Sequence, residues 1–285
     1  MQTRRLGDVQ VGVIGLGAMP FTTEADPDVP RSVQTVHAAL DAGVTLIDTA
    51  DAYSPPDEPM GRNETIVADA LASYAGSLDH VVVATKGGHT RQGGDWDGNG
   101  RPDYLRSACE ASIRRLGVEV IDLYQHHRPD PDVPYAETMG AMRELYDAGL
   151  VRRVGISNAD PEQIRIAHDV IGDALVSVQN QFSPKFRSSS AELELCEELG
   201  LAFLPWSPLG GISKAKELGS SFSVFQQVGE RHGVSAQQVC LAWELAQSDV
   251  VIPIPGASRP ASVEDSVQSA ELELSDAEIA QLSAG

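Results

Sequence analysis

The chain contains 285 residues, of which 41 are acidic and 21 are basic, so its formal net charge is −20. Hydrophobic residues make up 42% and charged residues 22%, a globular composition that excludes a largely disordered chain. Because nucleic acids and anionic membranes are also negatively charged, this acidity argues against either as a partner. No apolar run is long enough to cross a bilayer and the N-terminus lacks a secretory signal, so we expect a cytoplasmic protein.

The three cysteines are odd in number and widely spaced, which predicts neither a disulfide framework nor a metal cluster. They are Cys109, Cys196 and Cys240. Each is interpreted as a small buried hydrophobic residue on a helix. We therefore expect no metal site.

Short apolar runs alternate with amphipathic segments along the chain. Eight runs have consecutive apolar positions, which is typical of strands covered on both faces: 11–17, 44–48, 80–85, 120–126, 151–157, 175–180, 201–205 and 250–254. Six segments have the period of a helix: 33–42, 64–74, 104–116, 135–148, 161–171 and 191–199. Eight alternations in a chain of this length predict an α/β fold of the (β/α)8 TIM-barrel type.

The residues between these elements favour the same architecture. Gly7 and Asp8 predict a two-residue turn, so we expect an N-terminal β-hairpin before the barrel. A doubly wound sheet is the alternative, but the glycines at 15 and 17 are followed by neither the third glycine nor the helix start of a dinucleotide fingerprint. No linker or repeat interrupts the pattern, which predicts a single domain over residues 1–285.

Polar residues follow three successive predicted strands at the end where barrel enzymes carry their chemistry. Asp48 and Tyr53 follow the second strand, Lys86 the third and His127 the fourth. An ammonium group lowers the pKa of a nearby phenol, and a carboxylate can hold the lysine in place. A neutral imidazole can donate a hydrogen bond to a substrate oxygen. This set suits proton transfer at a carbonyl.

Each of these residues has a simpler interpretation when taken alone. Asp48 could cap a loop and Tyr53 could be a packing residue, although a lysine after a buried strand is costly to bury without a partner. Because side chains alternate on a strand, one of His126 and His127 must face the barrel interior and the other the helices. Taken together, the residues predict a catalytic site.

The segments 43–53, 84–87, 121–130, 154–158, 206–210 and 254–258 resemble, in order and spacing, the signature blocks of the aldo-keto reductase superfamily. The resemblance implies a (β/α)8 barrel that uses a nicotinamide cofactor without a Rossmann fold. It also implies a catalytic tetrad of Asp48, Tyr53, Lys86 and His127. His127 is chosen over His126 because the family motif has an apolar or variable residue just before its histidine.

The resemblance further implies cofactor-binding positions, which are Ser157, Asn158, Gln179, Trp206, Ser207, Leu209, Gly210, Ser258, Arg259 and Asp265. The first three match carboxamide-binding positions, Trp206 matches an aromatic residue that stacks on the nicotinamide, and residues 207–210 match the pyrophosphate stretch. Arg259 is the main candidate for the 2′-phosphate, which favours NADP over NAD. Asp265 and Ser266 depart from the family's Glu-Asn pair at the adenine. The segment after Gly211 is short, which predicts quick cofactor exchange.

Two functions from different classes remain open. The first is an NADP-dependent reductase of an aldehyde, ketone or keto-sugar, acting as a monomer or small homo-oligomer. The alternative is a non-catalytic cofactor-binding regulatory or scaffold subunit of the same fold, which the intact tetrad disfavours. A metal-dependent barrel enzyme ranks last because the sequence shows no ligand spacing beyond the adjacent histidines.

The substrate pocket is predicted to be lined by residues of the loops around the tetrad. These are Met19, Phe21, Tyr53, His89, Trp96 and Phe182. Residues 93–100 are rich in glycine, so we expect a mobile substrate loop without regular structure. This composition does not identify the substrate beyond a small carbonyl compound.

Overall fold

The computed structural model describes residues 1–22, 27–55, 57–92, 95–210 and 223–284. It begins with an antiparallel hairpin of β1 (Thr3–Leu6) and β2 (Val9–Gly12). Gly7 has a φ of 63° in the two-residue turn, a conformation that favours glycine. The predicted hairpin is confirmed.

The remaining strands follow the hairpin in chain order. They are β3 (Leu16–Gly17), β4 (Leu46–Asp48), β5 (Val82–Gly87), β6 (His89–Gln92), β7 (Asp95–Gly98), β8 (Leu123–His126), β9 (Val154–Ser157), β10 (Leu175–Gln179) and β11 (Ala202–Phe203). Seven of them form one sheet in the order β11-β10-β9-β8-β5-β4-β3, and its neighbouring strands are parallel. This sequential parallel order confirms the (β/α)8 barrel.

The eighth predicted strand closes the barrel through single bridges. Residues 250–256 lie between β11 and β3, with parallel bridges from Val251 to Phe203 and from Gly256 to Gly17. The carbonyls of Pro253 and Pro255 accept hydrogen bonds from Gly15 and Gly17. The two prolines have no N–H to donate in return, and the return bond of this seam runs from Ala257 N–H to the Gly17 carbonyl at 3.4 Å.

Ten α-helices occur in the described part of the chain. They are α1 (Val29–Asp41), α2 (Arg62–Ser73), α3 (Pro102–Leu116), α4 (Tyr135–Asp147), α5 (Pro161–Ile171), α6 (Ser190–Leu199), α7 (Ser223–His232), α8 (Ala236–Leu245), α9 (Pro260–Gln268) and α10 (Asp276–Ala284). The six predicted helices are present, and α1 begins four residues earlier than expected. The helices α7 to α10 were not predicted. In α8 eight of the ten residues are buried, so no polar face produces an amphipathic period. None of the described helices is long and apolar enough to span a membrane.

Residues 95–98 correct the expectation of an irregular loop. They form β7, which pairs with β6 as an antiparallel hairpin in the register His89↔Gly98 to Gln92↔Asp95. Alternating polar and aromatic side chains on both strands outweigh the glycine content in this segment. The two glycines between the strands, and the predicted short segment at 211–222, lie outside the described residues.

Hydrophobic side chains fill the barrel and the layer between its strands and helices. Leu6 and Val11 of the hairpin contribute to the interior cluster with strand residues such as Leu123 and Ile252. The three cysteines are buried and free, on α3, α6 and α8, as predicted. The barrel therefore has a packed interior, and polar chemistry is left to the strand ends.

Glu244 of α8 is an isolated buried carboxyl group. It is fully buried, and neither carboxyl oxygen has a hydrogen-bond partner in the part of the chain that the structure describes. Burial raises the pKa of Glu244 well above its ordinary value, so the folded chain binds this proton more tightly than the unfolded chain. The tighter proton binding stabilises the folded state fully below the unfolded pKa of about 4.3. This contribution is lost as the pH rises through the raised pKa of the folded state.

We expect Glu244→Leu to raise the free energy of unfolding at about pH 8 by about 1–3 kcal/mol, because it removes an unsatisfied buried polar group. Urea unfolding at about pH 5 and about pH 8 measures this gain. Glu244→Gln is the control for titration, and its stability should depend less on pH than that of the wild type. A Leu variant less stable than the wild type at the higher pH would contradict this account.

Candidate active site

Lys86 is the centre of a hydrogen-bonded chain at the carboxyl ends of the barrel strands. It lies within β5, one residue before the strand ends, and is fully buried. Its Nζ donates to Asp48 Oδ2 at 2.6 Å, to the Thr49 carbonyl at 2.9 Å and to Tyr53 Oη at 3.3 Å. All three ammonium hydrogens therefore have a partner, which makes the burial of this charge tolerable.

Asp48 is held by two glutamines as well as by the lysine. Gln125 Nε2 and Gln179 Nε2 donate to Asp48 Oδ1 at 3.1 and 2.8 Å. Both glutamines are buried, on the barrel strands β8 and β10. Together with the lysine, these amides give the Asp48 side chain hydrogen bonds at both oxygens.

Tyr53 is positioned by the loop that follows β4. The Tyr53 carbonyl accepts hydrogen bonds from the Asn63 backbone N–H and from Thr22 Oγ1, each at 3.1 Å. Asp51 N–H donates to the Lys86 carbonyl at 3.1 Å, which ties the same loop to the end of β5. The half-buried phenol is thus fixed beside the ammonium group rather than left on a free loop.

The direction in which the pKa of Tyr53 is shifted differs from the prediction. Burial raises the pKa of Tyr53, and although the charge of Lys86 opposes this, the net direction is upward. Burial lowers the pKa of Lys86, but the charges of Asp48 and Tyr53 outweigh it and the net direction is also upward. At neutral pH Tyr53 is therefore a phenol and Lys86 an ammonium.

The two adjacent histidines have different surroundings. His127 lies beside the tyrosine, with ring centroids 5.5 Å apart in an edge-on arrangement, and its buried Nδ1 has no partner within the described ranges. Burial, followed by the charge of Lys86, lowers the pKa of His127 well below its ordinary value, so the ring is neutral. His126 points to the helix side, where it packs against Tyr135 of α4 at 5.9 Å.

Comparison with known proteins identifies the family that carries this arrangement. The model of the Aldo/keto reductase family matches residues 13–284. The chain belongs to this family. It is 35% identical over 285 residues to an uncharacterized oxidoreductase of Schizosaccharomyces pombe, covering 98% of this chain and 88% of that protein. Members of the family are oxidoreductases, and the resemblance stated from the sequence is confirmed.

Solved structures of family members have the same fold. The glycerol dehydrogenase of Gluconobacter oxydans has a TM-score of 0.84 and 27% identity, covering 99% of this chain and 94% of that one. An aldo/keto reductase of Klebsiella pneumoniae, crystallised with NADP and acetate, has a TM-score of 0.81 and 26% identity with the same coverage. The barrel of this chain is therefore that of an aldo/keto reductase throughout.

Three of the predicted cofactor residues are contiguous with the tetrad. Ser157 Oγ donates to the Gln179 carbonyl at 2.7 Å, and Asn158 Nδ2 donates to the His127 carbonyl at 3.0 Å. Asn158 has a φ of 57°, so the turn after β9 is held in the left-handed region. Gln179 Nε2 donates to Asp48 Oδ1, so the side chain of Gln179 links this turn to the tetrad.

The loop after β11 brings another four predicted cofactor residues together. The backbone N–H of Trp206 donates to the Asn180 carbonyl at 3.0 Å, and the indole Nε1 is buried with no described residue as its partner. Ser207 and Gly210 have positive φ values of 54° and 87°. Leu209 packs against the core and thereby fixes the loop.

The remaining three cofactor positions are at the start of α9 and within it. Arg259 is exposed at the N-cap, next to half-buried Ser258, and its Nε donates to Ser262 Oγ at 3.1 Å. Asp265 accepts hydrogen bonds from Ser235 Oγ at 2.9 Å and Gln238 Nε2 at 2.7 Å. The Asp265 carboxylate thus connects α9 to the start of α8, a contact that no local sequence pattern predicts.

The predicted pocket residues divide into two groups. His89 and Trp96 lie on the β6–β7 hairpin, and His89 is 4.8 Å from His127 between ring centroids. Phe21, in contrast, is buried in the core with residues of α1 and α2. Phe182 stacks on Trp243 of α8 at 5.8 Å and belongs to the main core. Met19 is half-buried in the short 3-10 turn that contains Phe21.

Gln125 and Arg91 are two residues near the tetrad that were not predicted to belong to the site. Gln125 precedes His126 on β8, so strand alternation alone places it on the interior face, beside Asp48. Arg91 shares a face of β6 with His89, but this alternation is informative only once residues 89–98 are known to form a hairpin. The sequence therefore contained a signal that could have placed Gln125 in the site, but none that could have placed Arg91 there.

Proposed function

We propose that this chain is an NADP(H)-dependent oxidoreductase that reduces the carbonyl group of an aldehyde, ketone or keto-sugar to an alcohol. The observation that carries the proposal is the hydrogen-bonded chain from Asp48 through Lys86 to Tyr53, which ends on a phenol beside a neutral imidazole. Carbonyl reduction requires a proton donor, a cation beside that donor and a hydrogen-bond donor for the carbonyl oxygen.

The tetrad residues have separate roles in this proposal. When bound, the nicotinamide supplies the hydride that reduces the carbonyl carbon. Tyr53 Oη gives its proton to the carbonyl oxygen, and the ammonium of Lys86 stabilises the phenolate that remains. Asp48 keeps the lysine charged and fixed. The neutral His127 donates a hydrogen bond that orients the carbonyl oxygen toward the phenol.

The residues around the tetrad fit an NADP molecule. The buried, unpaired indole nitrogen of Trp206 and the positive φ values of Asn158 and Ser207 belong to loops that border the tetrad. The carboxamide is assigned to Ser157, Asn158 and Gln179, and the pyrophosphate to residues 207–210. Arg259 and Ser258 provide a guanidinium and a hydroxyl for the 2′-phosphate. The NADP complex of the Klebsiella pneumoniae relative supports the same cofactor.

A turnover screen tests the proposed function. Purified protein is given NADPH and a panel of neutral aldehydes, ketones and keto-sugars, and cofactor oxidation is followed with and without each compound. Carbonyl-dependent oxidation with alcohol product is the expected result. Cofactor binding without turnover on any member of the panel would favour the non-catalytic regulatory subunit instead.

Arg259→Ala tests the choice of cofactor. We expect its Kd for NADPH to rise about 10- to 100-fold while that for NADH changes little, because one charge-assisted hydrogen bond contributes about 1.5–3 kcal/mol. Dissociation constants of both cofactors are measured in the wild type and the variant. Arg165→Ala, which removes an exposed arginine of α5, is the control for net charge. Equal wild-type affinities, or a preference unchanged in the variant, would leave NAD as the better assignment.

A further inference from the structure

One face of the β6–β7 hairpin carries the residues of a binding surface. Side chains alternate along a strand, and the register pairs Arg91 with Trp96, so His89, Arg91 and Trp96 share this face. The His89 and Trp96 ring centroids are 4.6 Å apart, and the Arg91 guanidinium lies over the indole at 4.4 Å. We call these three residues the hairpin face.

The hairpin face is turned toward the catalytic tyrosine. His89 contacts His127 at 4.8 Å, and His127 contacts Tyr53 at 5.5 Å. At the other end, Arg91 Nη1 donates to the carbonyl of Ser54, the residue after Tyr53. Both ends of the hairpin face are therefore in contact with the Tyr53 side of the site, through His127 at one end and through Ser54 at the other. A group bound by the hairpin face would lie next to the reacting atoms.

The charges of the hairpin are separated between its two faces. Asp95 and Asp97 are on the strand positions that alternate with Trp96, and they point to the face opposite Arg91. Burial and the charges of Arg128 and Arg91 lower the pKa of His89 to about 4, while Asp97 opposes this shift. The hairpin face thus carries positive charge and a neutral imidazole in a chain whose net charge is −20.

The polar atoms of this face are available to a ligand. Arg91 Nε and His89 Nδ1 are buried and have no hydrogen-bond partner among the described residues, and the same is true of His127 Nδ1. Arg128 is exposed just after the end of β8, and its charge lowers the pKa of both His89 and His127. Two guanidinium groups near unpaired ring nitrogens are a site for an anion, since a guanidinium fork matches carboxylate and phosphate oxygens.

We propose that the hairpin face binds an anionic group, a carboxylate or a phosphate, at the far end of the carbonyl substrate. Arg91 is its main contact, and the exposed Arg128, just after the end of β8, adds a second positive charge. The indole of Trp96 covers the intervening carbon chain. This inference rests on the proposed function and adds to it the class of substrate: a short aldehyde or ketone that carries a negative charge.

Matched pairs of charged and neutral substrates test the inference. The carboxylate pair is 4-oxobutanoate and butanal, and the phosphate pair is glyceraldehyde 3-phosphate and glyceraldehyde. For each pair, kcat/KM is measured with NADPH in the wild type, Arg91→Met, Arg91→Lys and Arg128→Gln. The exposed Arg106 of α3 provides the matched control Arg106→Met, which changes the net charge equally.

We expect the wild type to prefer the charged member of at least one pair, which also distinguishes carboxylate from phosphate. Arg91→Met should lower kcat/KM for that member about 10- to 100-fold more than for its neutral partner. Arg91→Lys should recover part of the loss, and Arg128→Gln should have a smaller effect of the same sign. Arg106→Met should have none.

The proposed anion site and the proposed function would be contradicted by different results. Turnover of the neutral aldehydes without preference for a charged partner would overturn the anion site and leave the proposed function intact. An equal loss for charged and neutral substrates in Arg91→Met would show that the arginine only supports Ser54 and the tyrosine loop. No turnover of any of the four compounds would contradict the proposed function itself.

Discussion

Tyr53→Phe is expected to lower kcat for carbonyl reduction by about 10²–10⁴-fold, because it removes the proton donor and keeps the shape of the ring. The Kd for NADPH should be nearly unchanged, since the aromatic ring remains in place. Steady-state kinetics and cofactor titration on the same preparation measure both quantities.

A control variant tests whether the removal of a tyrosine hydroxyl elsewhere in the chain has the same effect on kcat. Tyr146→Phe removes the hydroxyl of an exposed tyrosine on α4 and should leave kcat as in the wild type. If the Tyr53→Phe and Tyr146→Phe variants turned over equally fast, the acid would be a different group. His127 is then the next candidate, since its ring lies 5.5 Å from that of Tyr53.

Lys86→Met is expected to have the second large effect, with kcat about 10²–10³-fold lower. Lys86 opposes the burial that raises the pKa of Tyr53, so its loss moves that pKa further up. In the direction of alcohol oxidation the enzyme needs the phenolate, and the activity rises with pH through this pKa. The rise should therefore shift to higher pH in the variant, which a pH profile of kcat measures.

The lysine variant also leaves Asp48 buried without its cation. Removing one partner of a buried ion pair costs about 3–5 kcal/mol of stability, so misfolding could imitate a catalytic effect. The double variant Asp48→Asn/Lys86→Met replaces both charges and should fold more stably than the single one. If this folded double variant kept a wild-type rate and pH profile, Lys86 would be a packing residue without a role in proton transfer.

The chemistry at the strand ends was predictable because it depends on local patterns. Asp48 and Lys86 directly end apolar runs, and parallel strands of a barrel bring their carboxyl ends to one side. Burying a lysine requires a partner, so the lysine and the aspartate could be paired from their positions at the ends of neighbouring strands. The direction of the Tyr53 pKa could not be predicted, because it depends on how deeply the ring is buried.

Other parts of the site were not predictable, because local sequence patterns do not determine them. Phe21 and Phe182 were expected in the pocket and belong to the core, because an aromatic residue in a loop carries no signal of the direction in which it points. Residues 93–100 were expected to form a loop without regular structure because of their glycines, whereas residues 95–98 form β7 of the hairpin. The proposed anion site on Arg91 depends on that hairpin, so it had no basis in the sequence alone.

The sequence by itself determined the barrel, its N-terminal hairpin and the residue types at the ends of strands, because hydrophobic period, turn chemistry and strand order are properties of neighbouring residues. The tertiary structure decided which polar groups meet. Gln179 and Asp48 are 131 positions apart, and their 2.8 Å hydrogen bond depends on the register and curvature of several strands between them. The contacts of His89 with His127 and of Arg91 with Ser54 likewise depend on how the hairpin docks, because side-chain direction across the fold is set by packing rather than by local sequence.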